Sequence, residues 1–258
     1  MTTSMPTSAP PRIGAFPALV GAELRMVVRD TAGLVIPIGL PILILVMNGL
    51  GIEDAVLPGT DGLTVFDVYV LPLVLAVVVA TIGVVNMPSF LATYRKSGVL
   101  KRLAVTPARP SLVLGAQVAV SLAQTLVGVV LAVGIAMLMF GAGLPRNFAL
   151  AVGIFALTAG AMYAIGLVIA AVVPTANSAV AVGLVVFFAM GALGGMFGPV
   201  TNLPPALAEV GTALPFGAAV QAMSAAWVGN VPDLASIVSL VVTLVVGGAF
   251  ATRFFRWS

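Results

Sequence analysis

The chain has 258 residues, of which 61% are hydrophobic and 7% are charged, whereas soluble domains average roughly 45–50% and 25%. Long uncharged runs separate the few charged residues, so the sequence predicts an integral membrane protein of all-α class. Because the chain contains no cysteine and no histidine, disulfides, thiolate metal sites and imidazole proton relays are excluded.

The N-terminal part is predicted to hold a disordered tail followed by an amphipathic helix at the membrane surface. Residues 1–13 are rich in Thr, Ser and Pro, and no apolar signal core follows them. In residues 14–31, apolar side chains recur with helical spacing on one face, and basic side chains lie roughly opposite. Glu23 and Asp30 fall back toward the apolar face, which makes them candidate acidic partners for a basic loop.

Six segments are long enough to cross a membrane, since a crossing needs about 20 apolar residues. If both termini are inside, Arg146 alone among the cations lies outside, as the positive-inside rule favours. Residues 199–232 are too rich in proline and polar residues for a seventh span, so they predict two short re-entrant helices. The predicted spans are residues 33–50, 66–88, 111–140, 148–173, 178–198 and 234–251.

A cluster of cations separates the second and third spans. The stretch YRKSGVLKRLAVTPARPSLVLG, Tyr94 to Gly115, holds five of the eleven Lys and Arg residues. These charges cannot lie in hydrocarbon, so the stretch must lie at or beyond a membrane surface. The simplest interpretation is a topology anchor, in which each charge contributes about 1 kcal/mol near anionic lipid.

The residue order within this stretch supports a more specific interpretation. The pattern R-x-x-G-x-L-K-R-L-x-x-T-P resembles the loop after the second helix of ABC-2 type exporter permeases, where the loop docks on a separate ATP-hydrolysing subunit. The family often has glutamates on both sides of the first arginine, where this chain has Tyr94 and Lys96. The matching residues are Arg95, Gly98, Leu100, Lys101, Arg102, Leu103, Thr106 and Pro107.

A second resemblance to the same family lies before the last predicted span. The sequence GGMFGPVTNLPPALAEVGTALPFGAAVQAM is similar to the family's region in which a glycine-rich span end leads to N-L-P and a short helix. A proline and an aromatic residue then follow, here Pro215 and Phe216. Together with the six-span plan, the resemblance covers nearly the whole chain.

The resemblance implies a permease subunit that works with a second permease, identical or homologous, and with two copies of an ABC ATPase. ATP and Mg²⁺ would bind to the ATPase, and this chain, which has no P-loop motif, would carry no cofactor or metal and would not itself be an enzyme. The implied activity is export of amphipathic small molecules, such as drugs, antibiotics or lipids, across a bacterial plasma membrane. Membrane lipids are expected partners, and nucleic acid is not.

An alternative from a different class is a membrane scaffold or assembly factor without transport activity, whose basic loop binds anionic lipid. It would need no ATPase.

Several neutral residues within the spans are candidates for a translocation path. Three polar residues recur at i, i+4 and i+7 on one helix face, which suits either a path or hydrogen bonds between helices. Aromatic and methionine side chains in the fifth span suit either an apolar substrate cavity or contact with lipid and neighbouring helices. The candidates are Gln117, Ser121 and Gln124 in the third span, and Phe187, Phe188 and Met190 in the fifth.

Glycines at the end of the fifth span form two overlapping G-x-x-x-G patterns. Gly191 pairs with Gly195, and Gly194 pairs with Gly198. Such patterns let two helices approach closely, so these residues are candidates for helix packing or for a dimer contact.

Overall fold

The regular structure of the chain is helical. The computed structural model describes residues 15–52, 55–60, 62–96 and 110–254, where every regular element is a helix apart from an isolated β-bridge between Val56 and Thr64. This confirms the predicted all-α class, whereas the predicted disordered tail, residues 1–13, lies outside the described residues. The elements are α1 (Ala15–Arg29), α2 (Thr31–Gly51), the π-helical π1 (Phe66–Val70), α3 (Leu71–Ala80), the π-helical π2 (Thr81–Asn86), α4 (Met87–Lys96), α5 (Pro110–Phe140), α6 (Phe148–Val172), α7 (Ala176–Leu193), a 3₁₀ turn (Val200–Asn202), α8 (Pro205–Ala213), α9 (Pro215–Val228) and α10 (Leu234–Phe254).

Within the described ranges, six helical segments are long and apolar enough to cross a membrane, which confirms the predicted number of spans. The protein is therefore a multi-pass membrane protein. Helices α8 and α9, with 9 and 14 residues, are too short for a crossing, and their re-entrant character remains a prediction, as does the inside position of the termini. The six segments are Gly33–Gly51, Phe66–Tyr94, Leu112–Phe140, Phe148–Val172, Ala176–Leu193 and Leu234–Arg253.

The second span lies at the centre of the bundle. It consists of π1, α3, π2 and α4, which follow one another without a break. Its most apolar window is 89% buried, whereas that of the sixth span is 17% buried. Every residue of α3, LPLVLAVVVA, is buried, because a helix without a polar face is stable only when other helices surround it. The second span accordingly packs against α2, α5, α6, α7 and α9.

Two glycines allow neighbouring helices to reach the backbone of π2. A Cβ on Gly166 of α6 would overlap the carbonyl oxygen of Gly83, and a Cβ on Gly183 of α7 would lie 2.5 Å from the carbonyl oxygen of Val84. Both glycines therefore sit where backbone packs directly on backbone, as is typical of small residues between membrane helices. This contact surrounds a π-helical segment, in which the Met87 amide bonds to the Ile82 carbonyl five residues earlier.

Two helix ends lie several residues from the predicted span ends, and the other ends lie within three residues of them. The second span was expected to end at residue 88, but its helix continues to Lys96, because residues 89–96 contain no helix breaker and cations at a helix C-terminus interact favourably with its dipole. The fifth span was expected to reach residue 198, but α7 ends at Leu193. Gly195 then adopts φ +95°, a left-handed conformation that a continuing helix cannot contain.

The close contact at Gly166 predicts a large effect of a single methyl group. Gly166→Ala would force α6 away from the Gly83 carbonyl, and we expect a loss of about 1–3 kcal/mol of stability. Gly153→Ala, in the same helix, is the matched control because a Cβ there meets nothing within 4 Å. Thermal unfolding of the purified variants should show a clearly lower Tm for Gly166→Ala alone; equal Tm values would contradict the packing.

Candidate functional site

Most of the predicted coupling segment lies outside the described residues. The helix of α4 ends at Lys96 and α5 begins at Pro110, so Arg95 belongs to α4 by its backbone. The side chain of Arg95 is outside the described structure, as are Gly98, Leu100, Lys101, Arg102, Leu103, Thr106 and Pro107. Their predicted contact with an ATPase therefore remains a prediction. The described structure does show which contacts hold the two helices that flank this segment. We call the end of the bundle where α4 ends at Lys96 and α5 begins at Pro110 the basic end.

Helix α1 braces the basic end. It packs mainly against α5, where Phe16 faces Gly115, and it also contacts α2. Glu23 and Tyr94 are both about 6% exposed, and the Tyr94 hydroxyl donates a hydrogen bond to Glu23 Oε2. Burial raises the pKa of Glu23, and the hydrogen bond from Tyr94 offsets part of that rise. An acidic residue of α1 thus holds the last turns of the second span, directly before the basic segment.

Asp30 caps a helix in the described structure. Its carboxylate accepts a hydrogen bond of 3.0 Å from the Gly33 amide at the N-terminus of α2. Its contact with the basic loop remains a prediction, because that loop lies outside the described residues.

A buried cluster of polar groups, which we call the carbonyl clasp, joins the first three spans. Pro37 has no amide hydrogen, so the Gly33 carbonyl four residues earlier lacks its helical donor. Asn86 Nδ2 and Gln124 Nε2 donate to this carbonyl at 2.9 and 2.7 Å, and Asn86 Nδ2 also donates to Gln124 Oε1 at 3.1 Å. The clasp consists of Gly33, Asn86 and Gln124. It therefore connects the first three spans through one residue from each.

The second proline in α2 leaves a second carbonyl without a helical donor. Pro41 cannot donate to the Pro37 carbonyl, and Thr81 Oγ1 lies 3.4 Å from that oxygen. The same hydroxyl lies 2.8 Å from the Val77 carbonyl in its own helix, so its hydrogen is shared between the two. This contact is weaker than the clasp at Gly33.

The three polar residues predicted to line a translocation path are buried within the bundle. Gln117, Ser121 and Gln124 are 1%, 2% and 7% exposed, and Gln124 belongs to the carbonyl clasp. The buried Gln117 Oε1 has no hydrogen-bond partner in the part of the chain that the structure describes.

The other three candidates lie on α7, whereas the polar residues lie on α5. Phe187 and Met190 are buried, whereas Phe188 is 41% exposed. The ring of Phe188 lies 5.1 Å from that of Phe187 and 6.3 Å from that of Phe197, centre to centre.

A cavity of about 630 Å³ lies elsewhere, between α2, the start of the second span and the region of α8 and α9. Its lining contains none of the six predicted translocation residues, but it does include Gly194, Gly195 and Gly198. No Asp, Glu, Lys or Arg is among the described residues that line it. The polar residues in its wall are Asn48, Tyr69, Thr201, Thr212, Gln221 and Ser224.

The candidate packing glycines make contacts within the chain. A Cβ on Gly194 would lie 2.6 Å from the Phe216 ring and 3.0 Å from the Gly217 amide nitrogen, and one on Gly191 would lie 3.0 Å from Met196 Sδ. Gly195 and Gly198 follow the end of α7 in a turn, so neither G-x-x-x-G pair forms one helix face. A dimer contact at these residues remains a prediction.

A third polar cluster, which we call the distal anchor, lies at the end opposite the basic end. The buried Asp67 carboxylate accepts hydrogen bonds from the Thr64 amide at 2.8 Å, the Thr64 hydroxyl at 2.9 Å and the Gly143 amide at 2.7 Å. Trp227 Nε1 in turn donates to the Gly143 carbonyl at 3.1 Å. The distal anchor therefore connects the second span, the α5–α6 loop and α9. Its members are Asp67, Thr64, Gly143 and Trp227.

Comparison with known protein families decides what this assembly of spans is. The model of the family described as ABC-2 type transporter matches residues 14–228, which include α1, five spans and both short helices. The chain belongs to the ABC-2 type transporter family. A comparison with curated proteins gives no match.

Family membership makes this chain the membrane part of an ABC transporter and implies an ABC ATPase partner. In this ABC-2 chain, sequence reasoning overlooked the residues that connect the spans, chiefly Asn86 and Tyr94. A signal for the first was present, because Pro37 implies a carbonyl at Gly33 that needs a donor from another helix. The sequence holds no comparable signal that would pair Tyr94 with a residue 71 positions earlier.

The carbonyl clasp predicts that the effect of losing Gln124 depends on Pro37. Gln124→Ala removes one donor from the Gly33 carbonyl and should cost about 1 kcal/mol of stability. Pro37→Ala restores the helical amide donor to that carbonyl, so Gln124→Ala should cost less in the Pro37→Ala background. A double-mutant cycle of unfolding free energies tests this, and strictly additive effects would contradict the clasp.

The buried Glu23 predicts a pH dependence of stability. The pKa of Glu23 in the folded chain lies above the usual 4.5, so the folded state binds the proton more tightly than the unfolded state. Stability therefore declines as pH rises from about 4.5 to the raised pKa of the folded chain. Glu23→Gln keeps an acceptor for Tyr94 without the charge and should flatten this decline between about pH 5 and pH 8. Tm values at both pH values provide the measurement.

Tyr94→Phe is the companion variant for that experiment. It leaves the Glu23 carboxylate buried without the Tyr94 donor, so we expect a lower Tm, and the difference should grow as pH rises and the carboxyl group loses its proton. A Glu23→Gln protein whose Tm follows the wild-type pH profile would show that Glu23 does not contribute to it.

Proposed function

We propose that this chain is the permease subunit of an ATP-binding-cassette exporter that moves amphipathic small molecules out across a bacterial plasma membrane. Two permeases, as a homodimer or with a homologous partner, would work with two copies of a separate ATPase, which binds ATP and Mg²⁺. Drugs, antibiotics and lipids are the substrate classes that we expect. The observation that carries this proposal is the continuity of the most buried span with the basic segment.

The second span offers a direct mechanical route from the basic segment into the bundle. Its helix runs unbroken from Phe66 to Lys96, so a force on residues 95–109 would act on the end of a rigid rod. That rod packs against five other helices, and backbone contacts at Gly166 and Gly183 leave little room for it to slip past them. Closure of an ATPase pair against the segment would therefore move several spans together.

The charges in the spans favour an external source of energy. Among the described residues of the six spans, the charged ones are Asp67 and Arg253, and both lie at span ends. The Asp67 carboxylate already accepts three hydrogen bonds in the distal anchor. Proton-coupled transport needs an ionisable group within the membrane that can change its partners, so ATP hydrolysis on a partner is the better supported source.

Charge reversal in the basic segment tests the proposal. Lys101→Glu with Arg102→Glu should weaken binding to the partner ATPase and reduce coupled ATP hydrolysis in reconstituted vesicles at least tenfold, because both residues would then oppose the original contact. The matched control is Arg25→Glu with Arg29→Glu, which makes the same charge change on the exposed face of α1. The control should retain most of the turnover.

Two results would contradict the proposal. If no ATPase associates with the wild-type chain, and the double variant only inserts wrongly, the basic segment is a topology anchor and the scaffold interpretation is correct. If both double variants lose turnover equally, the effect is one of surface charge and the segment has no specific coupling role.

A further inference from the structure

We infer that the cavity beside α9 is a binding site for amphipathic molecules and prefers uncharged ones to cations and anions of the same size. The inference rests on the proposed function, since it specifies the substrate class that such an exporter would accept. At about 630 Å³, the cavity falls within the range of small-molecule sites, roughly 300–1,000 Å³.

One wall of the cavity is a polar stripe on α9. Gly217, Gln221 and Ser224 recur at i, i+4 and i+7, and all three line the cavity. The opposite side of α9 is packed into the bundle, where Ala222 and Trp227 are buried. The helix is therefore held by its apolar side and presents an amide and a hydroxyl to the cavity.

Gln221 has a side-chain amide that is available to a ligand in the cavity. Its side chain is exposed, and its Nε2 lies 3.5 Å from the Gly217 carbonyl oxygen, at the limit of a hydrogen bond. So long a bond within the helix is weak and can give way to a better partner. A ligand with hydrogen-bonding groups, or the water that it displaces, would supply what the described residues do not.

The facing wall is mostly apolar. Val70 and Leu73 line it from the second span, Val65 lines it from the residue before that span, and Ile52 lines it from the residue after α2. Tyr69, which is 58% exposed, adds an aromatic surface with a hydroxyl. A molecule that fits both walls has an apolar body along the second span and hydrogen-bonding groups along α9.

The described residues that line the cavity carry no charge, which favours an uncharged ligand. An ammonium or carboxylate in this space would lose part of its hydration and would meet no oppositely charged partner among those residues. An uncharged analogue of the same shape escapes that cost.

A matched pair of probes tests this selection on the purified permease in nanodiscs without any ATPase. Dansyl hexylamide is uncharged, and dansyl cadaverine has nearly the same shape but ends in an ammonium group. We expect wild-type protein to bind dansyl hexylamide saturably, with a Kd at least tenfold lower than that of dansyl cadaverine, as measured by fluorescence titration.

Two substitutions locate the binding. Gln221→Glu changes an amide to a carboxylate of the same shape, so it should weaken the uncharged probe and strengthen the ammonium probe, each at least fivefold. Asn230→Asp makes the same chemical change at an exposed position outside the cavity lining and should leave both affinities unchanged. Ser224→Phe should abolish binding of both probes by filling the space.

Three results would overturn the inference. Wild-type protein that prefers the ammonium probe would refute charge selection. Equal effects of Gln221→Glu and Asn230→Asp would place the probe elsewhere, and the absence of saturable binding would mean that a lipid chain or a second copy of the protein fills the cavity. A failure of the ATPase experiment alone would leave probe binding intact, so the two proposals can fail separately.

Discussion

A backbone carbonyl without a donor inside a membrane is the constraint on which the arrangement of the first three spans depends. The prolines of α2 create two such carbonyls, and water in the hydrocarbon region cannot satisfy them. The chain supplies Asn86 and Gln124 to the Gly33 carbonyl, which fixes α2 against the second and third spans at one height. The missing hydrogen bond in α2 thus creates a specific contact among three helices. Apolar packing alone is non-directional and would not fix their relative heights as narrowly.

Close backbone contact, rather than hydrogen bonding, organises the other side of the second span. Gly166 and Gly183 bring α6 and α7 onto the carbonyls of π2, where any larger residue would push them apart. Hydrogen bonds on one side and backbone contacts on the other therefore surround the same segment, Thr81–Asn86. A central span held in this way suits the coupling role that we propose, because it has little room to move without the helices around it.

Much of the fold could be predicted from the sequence, because membrane crossings depend on apolar length and charge placement, both of which are visible in it. Contacts between helices were harder to predict. Gln124 shares its spacing with Gln117 and Ser121, but helical periodicity gives only the face, and the partner depends on which span packs there. The cavity was missed for a related reason: it is formed by residues such as Asn48 and Gln221, which belong to segments brought together only by the tertiary fold. The end of α7 at Leu193 depended on a local backbone conformation at Gly195 that apolar composition hides.

The distal anchor has a consequence for the shape of the cavity. It ties the second span to α9 through Asp67, Gly143 and Trp227, so these two walls are fastened to each other at the end away from the basic segment. Helix α2, the third wall, is fixed by hydrogen bonds at Gly33, whereas its far half is held by apolar packing, with Leu45 buried and Gly49 close to the Phe140 ring. Hydrogen bonds hold a distance more strictly than apolar contacts do, so we expect the far end of α2 to shift more readily than the end at the clasp. The width of the cavity would then adjust at the end of α2 that Asn48 and Ile52 line.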